Sequence, residues 1–363
     1  MDGPVWALGL MSGTSMDGID GAALLTDGVA VLGFGPKRFA ALSAEDRAVI
    51  AAAQGRWPGE AGVAEAAAVV DRTHAEMVVY FPTTEVVGFH GQTLAHAPDV
   101  QRSHQAGDGA ALAASAGKPV VWDFRSADLA SGGEGAPLVP FFHHACARML
   151  ALEEPVAFLN IGGVANVTWV DPAVPRPEQE GALVALDTGP GNALINDLMA
   201  ARRGLGQDEG GGLAAGGVVD EVILAALMED PYFDRPAPKS LDRNHFSGAL
   251  EAVAGLGDAD AAATLTAFTA AGIASSVRHM PEPPGRWLVC GGGRHNATLM
   301  HMIGARTNAP VDGVEVLGLD GDFLEAQAFA YLAVRVMRGL PTSAPSTTGA
   351  RLPVSGGRIS GGG

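Results

Sequence analysis

Residues 9–20 read GLMSGTSMDGID, which sets small hydroxyl side chains, tight-turn glycines and two carboxylates directly behind an apolar run. These are the parts of a phosphate cradle. Gly13 and Gly18 admit backbone angles that other residues avoid, and the N–H groups of the turn, with the hydroxyls of Ser12, Thr14 and Ser15, can converge on phosphate oxygens. Asp17 and Asp20 repel phosphate but suit the waters of a Mg²⁺ ion bridging a nucleotide's terminal phosphates, because Mg²⁺ takes one or two carboxylates beside phosphate oxygens. The same residues also suit a plain β-hairpin with a Gly-, Ser- and Asp-rich turn. A Walker loop is excluded, since no Gly-Lys-Ser/Thr follows the glycines. A dinucleotide fingerprint is excluded too, since a strand rather than a helix comes next.

Further along, LDTGPGN places Asp187 at the end of a strand, followed by a turn and a helix start, the position at which α/β sheets carry catalytic groups. Asp187 can act there as a general base toward a hydroxyl or water, or as the cap of the next helix. The segments FHGQT, with Gln92 and Thr93, and DFRSAD, with Asp123 and Arg125, both follow short strands. They are dense in hydrogen-bonding groups of the kind that hold a hydroxyl-rich ligand on loops. Arg125 can fork onto a carboxylate or phosphate, or pair internally with Asp123 or Asp128. Gly291, Gly292 and Gly293 after a buried strand allow close approach of a flat nucleoside, or form a tight turn. Lys239 offers a cation in a proline-bounded loop, for an anionic substrate or for solvent. His143 and His144 are adjacent in a helix and point in different directions, which disfavours a shared metal.

The elements that must position these groups alternate. Residues 5–10, 21–25 and 29–34 read as strands. Residues 43–53 open with a Ser-x-x-Asp cap and read as a helix, and residues 63–80 as a longer one. Residues 86–89 and 119–122 are short strands, with Asp108 capping the helix between them. Near residues 153–155 the pattern restarts as strand, Gly162-Gly163 turn and strand, echoing the N-terminal hairpin. The expectation is an α/β chain with a duplicated, actin-like or hexokinase-like ATPase fold, in domains 1–150 and 151–363 with nucleotide held between them. Helices follow at residues 192–202, 258–279 and 323–338 and a strand at 287–290. Residues 210–217 read as a flexible glycine stretch, and the tail from Ser355 as disordered.

Length and charge agree with this. A chain of 363 residues has room for about two domains. A net charge of −17 argues against nucleic acid and anionic membranes as partners. Cys146 and Cys290, far apart and alone, offer neither a disulfide framework nor a zinc motif and fit a reducing compartment. No basic residue precedes Lys37 and no apolar run approaches a membrane span, so a cytoplasmic protein is expected.

Taken together, GLMSGTSMDGID, FHGQT, DFRSADLASGGEGAPLVP, NIGGVANVT, DTGPGN, APKS, CGGGRHN, DGDFLEAQAFAYLA and GLPTSAPSTTGA resemble the anhydro-N-acetylmuramic acid kinases, in the family's order and over nearly the whole chain. The resemblance implies the superfamily of sugar kinases, actin and heat-shock ATPases, with two domains closing over ATP and substrate. It implies that 1,6-anhydro-N-acetylmuramic acid is opened with water and phosphorylated on its sixth-carbon hydroxyl in cell-wall recycling, and it allows a homodimer. By the same resemblance Gly13, Thr14, Ser15, Met16, Asp17, Gly18, Ile19 and Asp20 hold the ATP phosphates, with Asp17 and Asp20 on Mg²⁺ through water. Gly162 and Gly163 form a second phosphate loop, Gly291, Gly292 and Gly293 lie against the nucleoside, and Asp187 is the catalytic base. Gln92, Thr93, Asp123, Arg125 and Glu325 are the sugar contacts it suggests. The chain departs from the family at Leu241-Asp242-Arg243-Asn244, where Thr-Gly-Arg-Glu is usual, and residues 355–363 lack the family's apolar final strand. An ordinary sugar kinase, and an actin-like filament or chaperone ATPase, are the competing readings.

Overall fold

In the computed structural model, which describes residues 3–13 and 15–361, alternation of side chains along the first strand builds both faces of a sheet. Leu8 and Leu10 of β1 (Val5–Ser12) point into a core shared with Val70 and Met77 of the Val63–Val78 helix. The intervening Gly9 faces the opposite way. It pairs in parallel register with Gly88 of β4 (Val86–Ala97), and the two glycines make a flat shelf for the Leu324–Met337 helix. A Cβ on Gly9 would stand 1.7 Å from the Ala326 carbonyl oxygen, and one on Gly88 would stand 2.1 Å from that of Phe329. Sterics at these sites, not conformational freedom, require glycine.

The first compact unit comprises Met1–Ala151, Arg176–Gln179 and Phe323–Gly363. Its sheet adds β2 (Gly18–Thr26), β3 (Val31–Ala41), β5 (Arg102–Ala106), β6 (Val120–Trp122) and a final strand (Arg358–Ser360) that completes the other edge. The order, edge to edge, is final strand, β6, β4, β1, β2, β3, with β5 beside the outer half of β4. β1, β2 and β3 are antiparallel, whereas β4 joins β1, and β6 joins β4, in parallel.

The second unit, Leu152–Pro175 with Glu180–Asp322, repeats that plan. β7 (Val156–Ile161), β8 (Val164–Val170) and β9 (Leu183–Pro190) are antiparallel. β10 (Arg286–Cys290) and β11 (Val311–Gly313) add in parallel, giving the order β11, β10, β7, β8, β9. Two sheets with one strand order and one pattern of direction are the duplicated α/β fold expected from the two glycine hairpins. Within the second unit the Asp258–Ser275 helix, apolar on nearly all sides, runs through the core beside β8 and β9.

Several expectations need correction. Residues 323–363 pack with the first unit, so the division at 150/151 does not carry to the C-terminus. Residues 355–361 of the tail are ordered, with 362 and 363 outside the described residues: Arg358, Ile359 and Ser360 pair with Trp122, Val121 and Val120, and the Trp122 indole donates to Ser360 Oγ at 3.0 Å. The glycine stretch is ordered as well. Asp208 accepts from Leu213 and Ala214 N–H at 2.8 and 3.0 Å, and Thr298 Oγ1 donates to the Gly211 carbonyl at 2.8 Å. His143 and His144 are both buried in the Pro140–Met149 helix, and no metal-binding group of three or more His, Cys, Asp or Glu exists among the described residues.

Candidate active site

The β1–β2 hairpin carries the first glycine loop. Met16 N–H donates to the Gly13 carbonyl at 3.1 Å and Ser15 Oγ to Asp17 Oδ1 at 2.8 Å. Thr14 lies outside the described residues. The left-handed backbone expected of the glycines falls instead on Met16, at φ 54°. Gly18 is needed for space, since its Cβ would meet the Phe39 ring at 2.2 Å. Asp17 is exposed, and Asp20, on β2, sits opposite Met11 at the mouth of the hairpin, with Ile19 beneath it in the core.

β4 runs farther than its apolar part suggests, so that FHGQT lies within the strand rather than on a loop after it. Gly91, at φ +72°, and a bulge turn the strand so that Gln92 comes level with Ser12. Gln92 is wholly buried. Its Oε1 accepts from Ser12 Oγ and its Nε2 donates to the Gly13 carbonyl at 3.1 Å, so both ends of the carboxamide are spent on the first loop. Thr93 Oγ1 accepts from Gln105 Nε2 at 3.2 Å across the β4–β5 pair.

In the same unit Arg125 donates to the Gly135 carbonyl at 2.7 Å and to His90 Nε2 at 2.8 Å. Because arginine only donates, His90 Nε2 must accept, which leaves the proton on Nδ1, 2.7 Å from the Gly91 carbonyl. Burial and then the Arg125 charge hold His90 well below the usual histidine range, in keeping with a neutral ring. Burial also lowers Arg125 to about 10 and raises the neighbouring Glu325 carboxyl, which Arg125 partly offsets. Arg125 Nε is buried with no hydrogen-bond partner among the described residues. Asp123, at φ 53°, pairs with Arg358 at 2.9 Å and not with Arg125.

In the second unit, Asp187 sits half-buried on β9, opposite Asn166 of β8 at a bulge. It does not cap the following Ala193–Arg203 helix. Its Oδ2 accepts from Leu241 N–H at 2.8 Å, its own N–H donates to the Lys239 carbonyl at 2.9 Å, and its carbonyl accepts from the Tyr232 hydroxyl at 2.7 Å. The unusual Leu241 supplies a backbone donor, so this contact does not depend on its side chain. Lys239 is buried rather than solvated, and Tyr232 is a partner with no local sequence signal to mark it.

The Gly162-Gly163 turn joins β7 to β8. Its carbonyls accept from Asn192 at 2.8 Å and from Gly191 and Ala193 at 2.9 and 3.2 Å, which fastens the turn to the start of the Ala193–Arg203 helix. Arg243 lies alongside Gly163 and pairs with Asp197 at 3.1 Å. Gly291, at φ +71°, leaves no room for a side chain, since a Cβ would lie 2.3 Å from Asn160 Oδ1. A Cβ on Gly293 would strike Ile161 at 2.4 Å, whereas one on Gly292 would make only an ordinary contact, with Asn192 Nδ2 at 4.0 Å. Arg294 stiffens this glycine turn by donating to the Gly291 carbonyl at 3.0 Å while pairing with Glu315 and Asp322, each at 2.8 Å.

These features find close relatives. The family model for anhydro-N-acetylmuramic acid kinase matches residues 5–361. A protein named anhydro-N-acetylmuramic acid kinase from Cereibacter sphaeroides is 61% identical over 358 residues, covering 99% of this chain and 96% of its own. One of the same name from Ruegeria sp. is 57% identical, covering 98% and 95%. Among solved structures, a ROK family glucokinase from Streptomyces griseus in complex with glucose and AMPPNP aligns over 90% of this chain and 99% of its own, at 15% identity and a TM-score of 0.40. With a family match spanning both sheets and relatives identical at more than half of all positions, the chain belongs to the anhydro-N-acetylmuramic acid kinase family.

Proposed function

We propose that this chain uses ATP and Mg²⁺ to open 1,6-anhydro-N-acetylmuramic acid with water and to phosphorylate the freed sixth-carbon hydroxyl, releasing N-acetylmuramic acid 6-phosphate and ADP. The observation that carries the reading is Asp187, half-buried within β9 three residues before its end rather than at it, with Oδ2 accepting from Leu241 N–H and its backbone held by the Tyr232 hydroxyl and the Lys239 carbonyl, in a chain of this kinase family. A base so fixed takes a proton from the water that attacks the anomeric carbon. The bond from that carbon to the bridge oxygen breaks, its electron pair stays on the oxygen, and the oxygen attacks the terminal phosphorus as ADP leaves. One deprotonation thus serves both events.

The first loop would cradle the phosphates through Gly13, Ser15 and Met16, with Thr14 assigned by family resemblance alone. Asp17 and Asp20 fit the carboxylate requirement of a largely hydrated Mg²⁺, which when bound neutralises charge on the transferred group. Gly162 and Gly163 would meet the phosphates, and the Gly291–Gly293 turn the nucleoside. Arg125, with its unpartnered buried Nε, and Glu325 beside it suit the hydroxyls and carboxylate of a muramic acid, and Thr93 and Asp123 complete the proposed sugar contacts. No helix among the described residues is long and apolar enough to cross a membrane, and a cytoplasmic enzyme, acting as a homodimer, is the family expectation.

Gln92 is better read as a support of the phosphate loop than as a sugar contact. Gln92→Leu is expected to weaken ATP binding about tenfold, the cost of two uncompensated hydrogen bonds, while the KM for sugar changes little. Calorimetric titration with ATP checks this, and unchanged ATP affinity with a raised sugar KM returns Gln92 to the sugar. The reaction itself is tested by the product made in oxygen-labelled water, since only hydrolytic opening places solvent oxygen on the anomeric carbon.

A further inference from the structure

We propose that Lys239 is a positioning residue for Asp187: its ammonium group closes segment 232–241 into a bracket that presents three hydrogen bonds to the aspartate. The proposal rests on Asp187 being the base. Lys239 is buried, and its Nζ donates to the Tyr232 and Phe233 carbonyls at 2.9 and 3.2 Å, with the Tyr232 ring 4.5 Å beneath it. The start of the segment is thereby tied to its end. From the start the Tyr232 hydroxyl reaches the Asp187 carbonyl at 2.7 Å. From the end the Lys239 carbonyl accepts Asp187 N–H at 2.9 Å, and Leu241 N–H donates to Oδ2 at 2.8 Å.

Placing a cation here is costly. Burial, with Arg278 and Arg235 nearby, lowers the Lys239 amine to about 8, against the opposing pull of Asp234 and Asp187. His279 also faces it, at 3.5 Å, with its own Nε2 on the Phe233 carbonyl at 2.9 Å. A site selected for stability alone is as well filled by an apolar side chain of similar length, since desolvating the charge offsets much of what its contacts return. The ammonium does what a methyl end cannot: it binds two carbonyls at once and sets the spacing of the two ends of the bracket.

The test compares the full-length parent with Lys239→Met, Tyr232→Phe and Asp187→Asn, measuring thermal melting, ATP binding by calorimetry, and kcat and KM for the anhydro sugar. A displaced base affects only the transition state, so Lys239→Met is expected to lower kcat about tenfold to a hundredfold, with ATP affinity and sugar KM within about threefold of the parent. Tyr232→Phe, which removes one hydroxyl, is expected to lower kcat about threefold to tenfold. A folded Lys239→Met with the parent's kcat overturns the proposal, as does a loss of kcat no larger than the loss of folded protein. If Lys239→Met does not fold, Tyr232→Phe decides, and an unchanged kcat overturns it. An active Asp187→Asn overturns the base assignment and the bracket with it, whereas an inactive Asp187→Asn beside a fully active Lys239→Met rejects the bracket alone.

Discussion

Asp187→Asn is expected to lower kcat about 10²- to 10⁴-fold, the usual range for loss of a general base, while ATP affinity stays within about twofold. The substitution is nearly isosteric, and the asparagine oxygen can still accept from Leu241 N–H. The backbone contacts to Tyr232 and Lys239 do not involve the side chain at all. What disappears is basicity. Single-turnover measurement of ADP formation, with saturating ATP and sugar, isolates the chemical step from binding. Retention of full activity would remove Asp187 from the mechanism, and a loss that appears only in the KM for sugar would make it a binding residue.

The second large effect is on stability. Gly9→Ala is expected to cost about 3 kcal/mol or more, at the upper end of what overpacking usually costs. The added methyl carbon would lie 1.7 Å from the Ala326 carbonyl oxygen and 2.6 Å from Ala330 N, both backbone atoms of the Leu324–Met337 helix. No flexible side chain is there to yield, so the helix must lift from β1, and Glu325, one residue from the contact, moves with it. Gly33→Ala is the control. At that position on β3 the nearest atom to the new Cβ is 3.8 Å away, an ordinary contact, and the change is expected to fall within about 1 kcal/mol of neutral. Urea unfolding of both variants checks the pair, and equal stability would show that the glycine shelf does not hold the helix.

Much of this was open to reading in the residues. The two strand–glycine–strand openings were legible because apolar alternation and paired glycines are local signals, and they led to the repeated strand order of both sheets. The reach of β4 was not, because His90 and Gln92 look like loop residues until Arg125, Ser12 and Gly13 supply the partners that let them be buried in a strand. The final strand hid for a related reason. Arg358 and Ser360 carry no apolar signal and are held by Asp123 and Trp122, more than 200 residues earlier in the chain. Backbone freedom is the reading that the sequence suggests for Gly18, yet there, as at Gly9 and Gly88, the requirement is room for a neighbouring backbone or ring. Asp187 could be singled out by its motif, but its bracket could not. Tyr232 lies 45 residues away and nothing in its local sequence points to a carboxylate.

The most direct measurement is mass spectrometry of the product formed from ATP, Mg²⁺ and 1,6-anhydro-N-acetylmuramic acid in water enriched in heavy oxygen. The account predicts a sugar 6-phosphate carrying one solvent oxygen, located on the anomeric carbon, with ADP formed in equal amount only when the anhydro sugar is present. A phosphorylated sugar with its anhydro bridge intact, or ADP formed at the same rate without the sugar, would contradict it.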